Sequence, residues 1–243
     1  MFVFLAAVFA VGFVAFGVGS DVQGGVADVI GLGGGGSDQP SVDDAREKLE
    51  KTPNDPAALR ELATALQTAG TPEEAIDPLE SFTAQRPRDE DALRELAGLY
   101  LTKASRLRDE LRIAQLQAQG LNPGADFLPP ATTPLGQALS SPPISQAVTA
   151  RASERVNAVF TELTATFDEA KTTYEQIVRL APEDASLQLQ LADAAQNAGD
   201  AATAIAAYEK FLELAPDDPS APLVKKEIER LEATAALDQG AAG

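Results

Sequence analysis

The six residues ALRELA occupy positions 58–63, and the same six return at positions 92–97, 34 residues later. Prolines keep the same interval, since Pro87 follows Pro53 and Pro216 follows Pro182 by 34 positions. A fixed period of this length is typical of helix-turn-helix units that stack on one another, because each unit buries an apolar face that it cannot bury alone. The period therefore predicts an all-α solenoid.

Apolar and small residues recur at matching positions in the units that begin at Pro56 and Ala185. They are Leu62, Ala63, Leu66, Ala75 and Leu79 in the first unit, and Leu191, Ala192, Ala195, Ala204 and Tyr208 in the later one. Leu59 also fits the pattern in the first unit, where the later unit has Gln188, and Phe211 fits it in the later unit. This pattern resembles the tetratricopeptide repeat (TPR) family, and it implies a TPR-like α-solenoid of about three helix pairs. Thr71 is expected to cap the second helix of the first unit, and Pro78 inside that helix is expected to kink it.

The second unit is interrupted by an insertion. Pro182 follows Pro87 by 95 positions, which leaves about 61 residues beyond one period. Apolar residues spaced by three and four on both sides of the interruption predict a long antiparallel helical hairpin at 105–165. Its Pro-rich tip at 120–143 carries apolar residues that either contact a partner or fold back on the hairpin as a lid: Phe127, Leu128, Leu135 and Leu139.

The remaining boundaries follow from composition and from the period. Residues 41–104 are expected to hold a half-repeat, the first repeat and the first helix of the second repeat. Residues 166–232 complete the second repeat and add the third repeat and a capping helix, whose polar outer face ends the array. We expect a membrane anchor or uncleaved signal at 1–20, a Gly-rich tether at 21–40 and a flexible tail at 233–243.

The first 20 residues carry no charged side chain, and as a helix residues 2–19 would span about 27 Å, close to the thickness of a bilayer core. The first basic side chain after them is Arg46. Because Lys and Arg hold flanking segments in the cytoplasm, their absence here predicts a single-pass protein of the cell membrane with its repeats outside the cytoplasm. A cleaved secretory signal and a natural start further upstream are the alternatives.

Composition narrows the possible chemistry. The chain has no Cys and no His, which excludes thiol and imidazole catalysis and zinc sites built from those residues. Its net charge of −18 opposes binding to nucleic acid. Adjacent acidic pairs such as Asp43–Asp44 and Asp168–Glu169 diverge by about 100° on a helix, so they do not converge on one substrate atom. We therefore expect no enzyme activity, cofactor, metal site or small-molecule substrate.

The family resemblance implies that one face of each first helix lines a concave groove for partner peptides. Here that face carries Arg60, Thr64, Gln67, Arg94, Leu101, Leu189, Asp193 and Asn197. Arg60 and Arg94 hold the same position in their units and could together fork onto a partner carboxylate. Alternatively, both arginines are solvated and balanced by the neighbouring Glu61 and Glu95.

These features predict a non-catalytic, membrane-tethered scaffold that binds proteins or peptides through its groove and its projecting hairpin. It resembles bacterial single-span repeat proteins, which implies a role in envelope assembly or secretion. A structural protein that self-associates without a client and a secreted, soluble TPR adaptor are the alternatives. Homo-oligomers are compatible with any of these functions.

Overall fold

The computed structural model describes residues 41–120, residue 133 and residues 143–241. All regular secondary structure in this part of the chain is helical: α1 (Val42–Lys51), α2 (Pro56–Thr68), a 3₁₀ turn (Pro72–Ala75), α3 (Ile76–Gln85), α4 (Glu90–Gly120), α5 (Pro143–Leu180), α6 (Ala185–Ala198), α7 (Ala201–Leu214) and α8 (Ala221–Ala241). Within these residues, none of the helices is both long and apolar enough to span a membrane. The predicted anchor at 1–20 and the tether at 21–40 lie outside the described residues.

Short acidic side chains fix where several helices begin. Asp55 accepts a hydrogen bond from the Ala57 amide at 3.3 Å before α2, and Asp184 accepts one from the Ser186 amide at 2.9 Å before α6. These carboxylates satisfy backbone amides that have no partner in the first turn of a helix. At the other end of α6, Gly199 adopts a φ of +84°, in the left-handed region that glycine tolerates best.

The first repeat departs from the expected regular second helix. Residues Pro72–Ala75 form a 3₁₀ turn, and α3 begins only at Ile76. Pro78 thus lies in the first turn of α3, where a backbone N–H needs no intrahelical partner. Pro78 therefore removes no hydrogen bond from the interior of a helix, and that loss was the reason for expecting a kink. Thr71 also makes no capping hydrogen bond; its hydroxyl donates to the Leu66 carbonyl at 3.2 Å.

The repeats share one apolar core. Residues one period apart occupy equivalent buried positions, such as Leu62 with Leu96 and Leu66 with Tyr100. Ile177 of α5 lies in this same core and is fully buried. The first part of α4 and the last part of α5 therefore act together as the helix pair of the second repeat. We call α2, the first part of α4, and α6 the first helices, and α1, α3, the last part of α5, and α7 the second helices.

Between these two parts, α4 and α5 extend away as an antiparallel pair, which we call the arm (105–120 and 143–165). A separate small cluster of buried residues holds its base together: Ala104, Leu107, Val159, Leu163 and Phe167. Ion pairs run along the pair of helices, from Lys103 to Glu162 at 3.4 Å and from Glu110 to Arg155 at 3.0 Å. The predicted tip residues Phe127, Leu128, Leu135 and Leu139 lie outside the described residues.

Helix α8 runs past the expected end of the capping helix. It continues to Ala241, through most of the segment at 233–243 that the sequence predicts as a flexible tail. The segment is rich in alanine, which has the highest intrinsic helix propensity. Helix α8 begins by packing Ala221, Val224 and Leu231 into buried positions, so the helix is already nucleated when the chain reaches the alanine-rich segment.

Candidate partner-binding surfaces

The predicted groove residues lie on the three first helices, and side-chain contacts join these helices in order. Arg60 and Gln67 of α2 both contact Glu95 of α4, each at 2.5 Å. Arg94 of α4 approaches the Asp184 carboxylate at the start of α6 at 3.6 Å. The first helices therefore form one continuous face, and the side chains that link them are the ones that the sequence assigns to partner binding.

The two candidate arginines are already paired within the chain. Arg60 forms its ion pair with Glu95 and lies over the ring of Phe82, 5.7 Å from its centroid. Its Nη1 is buried and has no hydrogen-bond partner among the described residues. Arg94 binds the carboxylate of Glu90 at 2.6 Å as well as approaching α6. Internal carboxylates therefore already occupy part of the five-donor fork of each guanidinium, and a partner carboxylate competes with them.

One detail of the sequence interpretation changes with the structure. Glu61 does not balance Arg60, because it pairs with Lys48 of α1. Glu95 pairs with Arg60 of the preceding repeat instead of its sequence neighbour Arg94. The acidic residues next to the arginines in sequence thus bind cations on neighbouring helices, because residues adjacent in a helix point in different directions.

The third repeat uses its candidate residues for internal hydrogen bonds. Asp193 accepts a hydrogen bond from the Tyr208 hydroxyl at 2.7 Å, and partial burial raises the pKa of its carboxyl. Asn197 accepts a hydrogen bond from Arg108 at 2.6 Å, and the Arg108 guanidinium lies 4.7 Å from the centroid of the Phe167 ring. Arg108 therefore fastens the base of the arm to α6.

The other three candidates differ in exposure. Leu189 is partly buried against the main core, whereas the side chain of Leu101 is exposed. Thr64 donates its hydroxyl to the carbonyl of Arg60, one turn earlier in its own helix. Most of the predicted groove residues are thus engaged within the protein, and Leu101 offers free apolar surface. Their role in partner binding stays a prediction.

The arm exposes apolar side chains that the sequence pattern did not single out. Leu116 is 61% exposed and Phe160 58% exposed, and Ile113 and Val148 are also exposed. Sequence reasoning missed them because they lie off the apolar seam that defines the helix pair. For Ile113, Leu116 and Val148 the available signal is charge: between Glu110 and Glu154 the sequence contains one acidic residue, Asp126, in a chain with 37. Phe160 lies outside this interval.

Metal binding has no evident place in the part of the chain described here. Among residues 41–120 and 143–241, no three acidic side chains are grouped so as to hold a metal ion. A metal in this protein would need oxygen ligands, because the sequence has no Cys or His.

Comparisons with known proteins agree with the helical repeats. Residues 185–218 match the sequence model of a family described as tetratricopeptide repeat, and no curated protein matches the chain. The crystal structure of MamA is 18% identical, with 72% of this chain and 86% of that chain covered and a TM-score of 0.26.

Two further solved structures are similar at the same level. For TTC0263, a thermophilic TPR protein of Thermus thermophilus, identity is 18%, coverage 79% and 89%, and the TM-score 0.26. For YrrB, a TPR protein with an unusual peptide-binding site, identity is 14%, 76% of this chain and 100% of that chain are covered, and the TM-score is 0.23.

Proposed function

Because this chain contains a tetratricopeptide repeat at residues 185–218, we propose that it is a non-catalytic scaffold that binds partner proteins through its arm and its concave face. We further propose that residues 1–20 tether it to the cell membrane with the repeats outside the cytoplasm, where it serves envelope assembly or secretion. Proteins built from such repeats generally bind other proteins or peptides. The repeat fold supports protein binding in general, and the exposed side chains of the arm and the concave face support these two surfaces as the binding sites.

The observation that carries the proposal is the exposure of large apolar side chains along the arm. Ile113 and Leu116 lie on α4 and Val148 and Phe160 on α5, and none of the four belongs to the buried cluster at the base of the arm. Large apolar side chains exposed on a projecting element favour protein binding, because covering them removes apolar area from water. A partner can therefore bury apolar surface on the arm without any change in the core of the repeats.

The concave face contributes differently. Arg60 and Arg94 are held by Glu95 and Glu90, so an acidic partner gains little unless it replaces these carboxylates. Both pairs are partly exposed, and such pairs contribute about 0–1 kcal/mol each. Replacing these internal carboxylates therefore costs little free energy, and the concave face can select among partners that are already bound to the arm.

The test is photo-crosslinking with mass spectrometry in native membranes, using the full chain and two surface variants. The arm variant combines Leu116→Asn with Phe160→Asn. The matched control is Leu223→Asn on α8, where the leucine is 68% exposed. We expect the same partner proteins to crosslink to the wild type and the control and to be lost from the arm variant. Partners retained by the arm variant would contradict the proposal for the arm.

Two further outcomes address the alternative functions. A stoichiometric oligomer that survives dilution in sedimentation velocity, together with no other crosslinked protein, would favour structural self-association. Intact mass of the membrane-extracted protein tests the tether. A mass that includes Met1 agrees with an anchor, and a mature amino terminus near Ser20 would indicate a secreted adaptor.

A further inference from the structure

Two grooves of the same construction lie between successive second helices. The first groove lies between α1 and α3 over α2, with a cavity of about 410 Å³, and the second lies between α3 and α5 over α4, with a cavity of about 310 Å³. Their floors correspond one period apart, Leu62 and Leu66 in the first and Leu96 and Tyr100 in the second. The grooves use a different face of the first helices from Arg60.

The walls of the grooves also correspond, residue by residue. Arg46 of the first groove is replaced 34 positions later by Glu80 in the second. Glu74 of the first groove corresponds, across the 95-residue interval that includes the insertion, to Glu169 in the second. The first groove is bridged by an ion pair between Arg46 Nη2 and Glu74 Oε2 at 3.0 Å. The equivalent positions of the second groove carry two carboxylates.

The second groove has no cation of its own to take the place of Arg46. In the part of the chain that the structure describes, its lining contains no lysine or arginine. Tyr100 donates a hydrogen bond to the Glu80 carboxylate, which supplies a polar contact without positive charge. The third carboxylate at this groove, Asp168, is already paired with Lys171 at 2.7 Å. Among the described residues, Glu80 and Glu169 are therefore the carboxylates of this lining that form no ion pair; Lys103, which acts on Glu169 at longer range, is paired with Glu162.

The electrostatics of the groove agree with this geometry. Burial raises the pKa of the Glu169 carboxyl, the charge of Glu80 raises it further, and Lys103 offsets part of the rise. Two carboxylates that disfavour each other's charge gain when a cation lies between them. The groove also has the apolar surface of Leu96 and Pro87, on which the methylene stem of a long side chain can pack.

We propose that the second groove binds an arginine side chain of a partner polypeptide, whose guanidinium bridges Glu80 and Glu169 where Arg46 meets Glu74 in the first groove. This inference deepens the proposed function and rests on it for the existence of a partner. Arginine fits better than lysine because its planar fork can donate to two carboxylates at once. A metal ion fits less well, since no group of three acidic side chains among the described residues is arranged to hold one.

The direct test titrates the ¹⁵N-labelled full chain with the peptide acetyl-Leu-Arg-Leu-amide at physiological salt, followed by NMR. The matched control peptide replaces arginine with citrulline, its uncharged isostere. We expect saturable shifts at amides of the second groove, including Tyr100 and Thr173, with the arginine peptide alone. Glu169→Gln is expected to weaken binding about tenfold, because it removes one charge-assisted contact. Glu74→Gln, the same change in the first groove, is expected to leave it unchanged.

A reciprocal exchange tests the correspondence between the grooves. Glu80→Arg supplies the second groove with an internal cation and is expected to abolish the shifts there. Arg46→Glu removes the internal cation of the first groove and is expected to create a second set of saturable shifts near Leu66. Both positions are at the surface, and circular dichroism checks that the variants keep their helices.

Several results would overturn the proposal. They are equal shifts with the citrulline peptide, binding that survives Glu80→Arg, or shifts at these amides with Ca²⁺ alone but not with the arginine peptide. Shifts of Tyr100 and Thr173 that depend on protein concentration would assign the groove to a second copy of this chain. The peptide titration does not involve the exposed residues of the arm. Failure of the arm variant to lose its partners is therefore a separate result from failure of this groove.

Discussion

Leu107 tests whether the arm is a unit of stability separate from the repeats. Its side chain is 1% exposed and belongs to the small cluster at the base of the arm, to which Leu111 and Ala198 add only partly buried contacts. Leu107→Ala removes buried methyl groups and leaves a cavity, which costs about 3 kcal/mol within the usual range of about 2–5 kcal/mol. Because the cluster is distinct from the main core, we expect the loss to appear as local opening of the arm.

Hydrogen exchange with mass spectrometry measures this opening segment by segment. A loss of about 3 kcal/mol corresponds to roughly 100-fold faster exchange, since each 1.4 kcal/mol is a factor of ten. We expect this change in peptides from the arm, with exchange in α2, α3 and α7 unaltered. The control is Ile177→Ala, in a fully buried position of the main core, which is expected to speed exchange throughout the repeats. Equal acceleration everywhere in Leu107→Ala, or none in the arm, would refute two separate units.

Three further predictions concern a carboxylate, a tyrosine hydroxyl and two glycines. The backbone hydrogen bond from Thr203 is the main cause of the lowered pKa of the Asp200 carboxyl, so its stabilisation is present above the unfolded pKa of about 3.9 and is lost as pH falls through the lower folded value. Urea unfolding at several pH values should therefore show a smaller loss of stability below about pH 4 for Asp200→Asn than for wild type; an unchanged profile would contradict this. Tyr208→Phe removes a hydroxyl that donates to Asp193 at 2.7 Å, which should cost about 1–2 kcal/mol in urea unfolding and raise the pKa of Asp193 further in a ¹³C NMR titration. Gly98→Ala fills open space in the middle of α4 and should stabilise by about 0.5–1 kcal/mol, whereas Gly199→Ala forces a side chain to a φ of +84° and should destabilise by about 1 kcal/mol. Thermal melts that shift in the same direction for both glycine variants would contradict that reasoning.

Much of the fold could be read from local patterns. The 34-residue period placed Leu59, Leu62 and Leu66 in the core of the first repeat, and all three are buried. The 95-residue interval between prolines located the insertion, and α4 and α5 both run into it as long helices. Such patterns are informative because the side chains on one face of a helix pack against the same neighbouring element. Their spacing is therefore visible in the sequence even when that element is not known.

The irregularities were harder to read. Pro78 was correctly recognised as a departure from the repeat, but its effect depended on whether the preceding turn could leave the α-helical path. The structure places a 3₁₀ turn before α3, so the missing N–H of Pro78 falls where none is required. A sequence pattern records which hydrogen bond is lost and leaves open how the backbone adjusts to the loss.

The helical period, the equivalent buried positions and the place of the insertion follow from the amino-acid sequence, because they depend on spacings along one chain. Which charges meet depends on how the helices pack. Arg60 pairs with Glu95 on the next repeat instead of with Glu61, and Glu80 faces the same groove as Glu169 from across the insertion. Ion pairs depend on where side chains end after the helices have packed. An exposed charged side chain imposes no pattern on its neighbours in the sequence, so the sequence does not show which charge it pairs with.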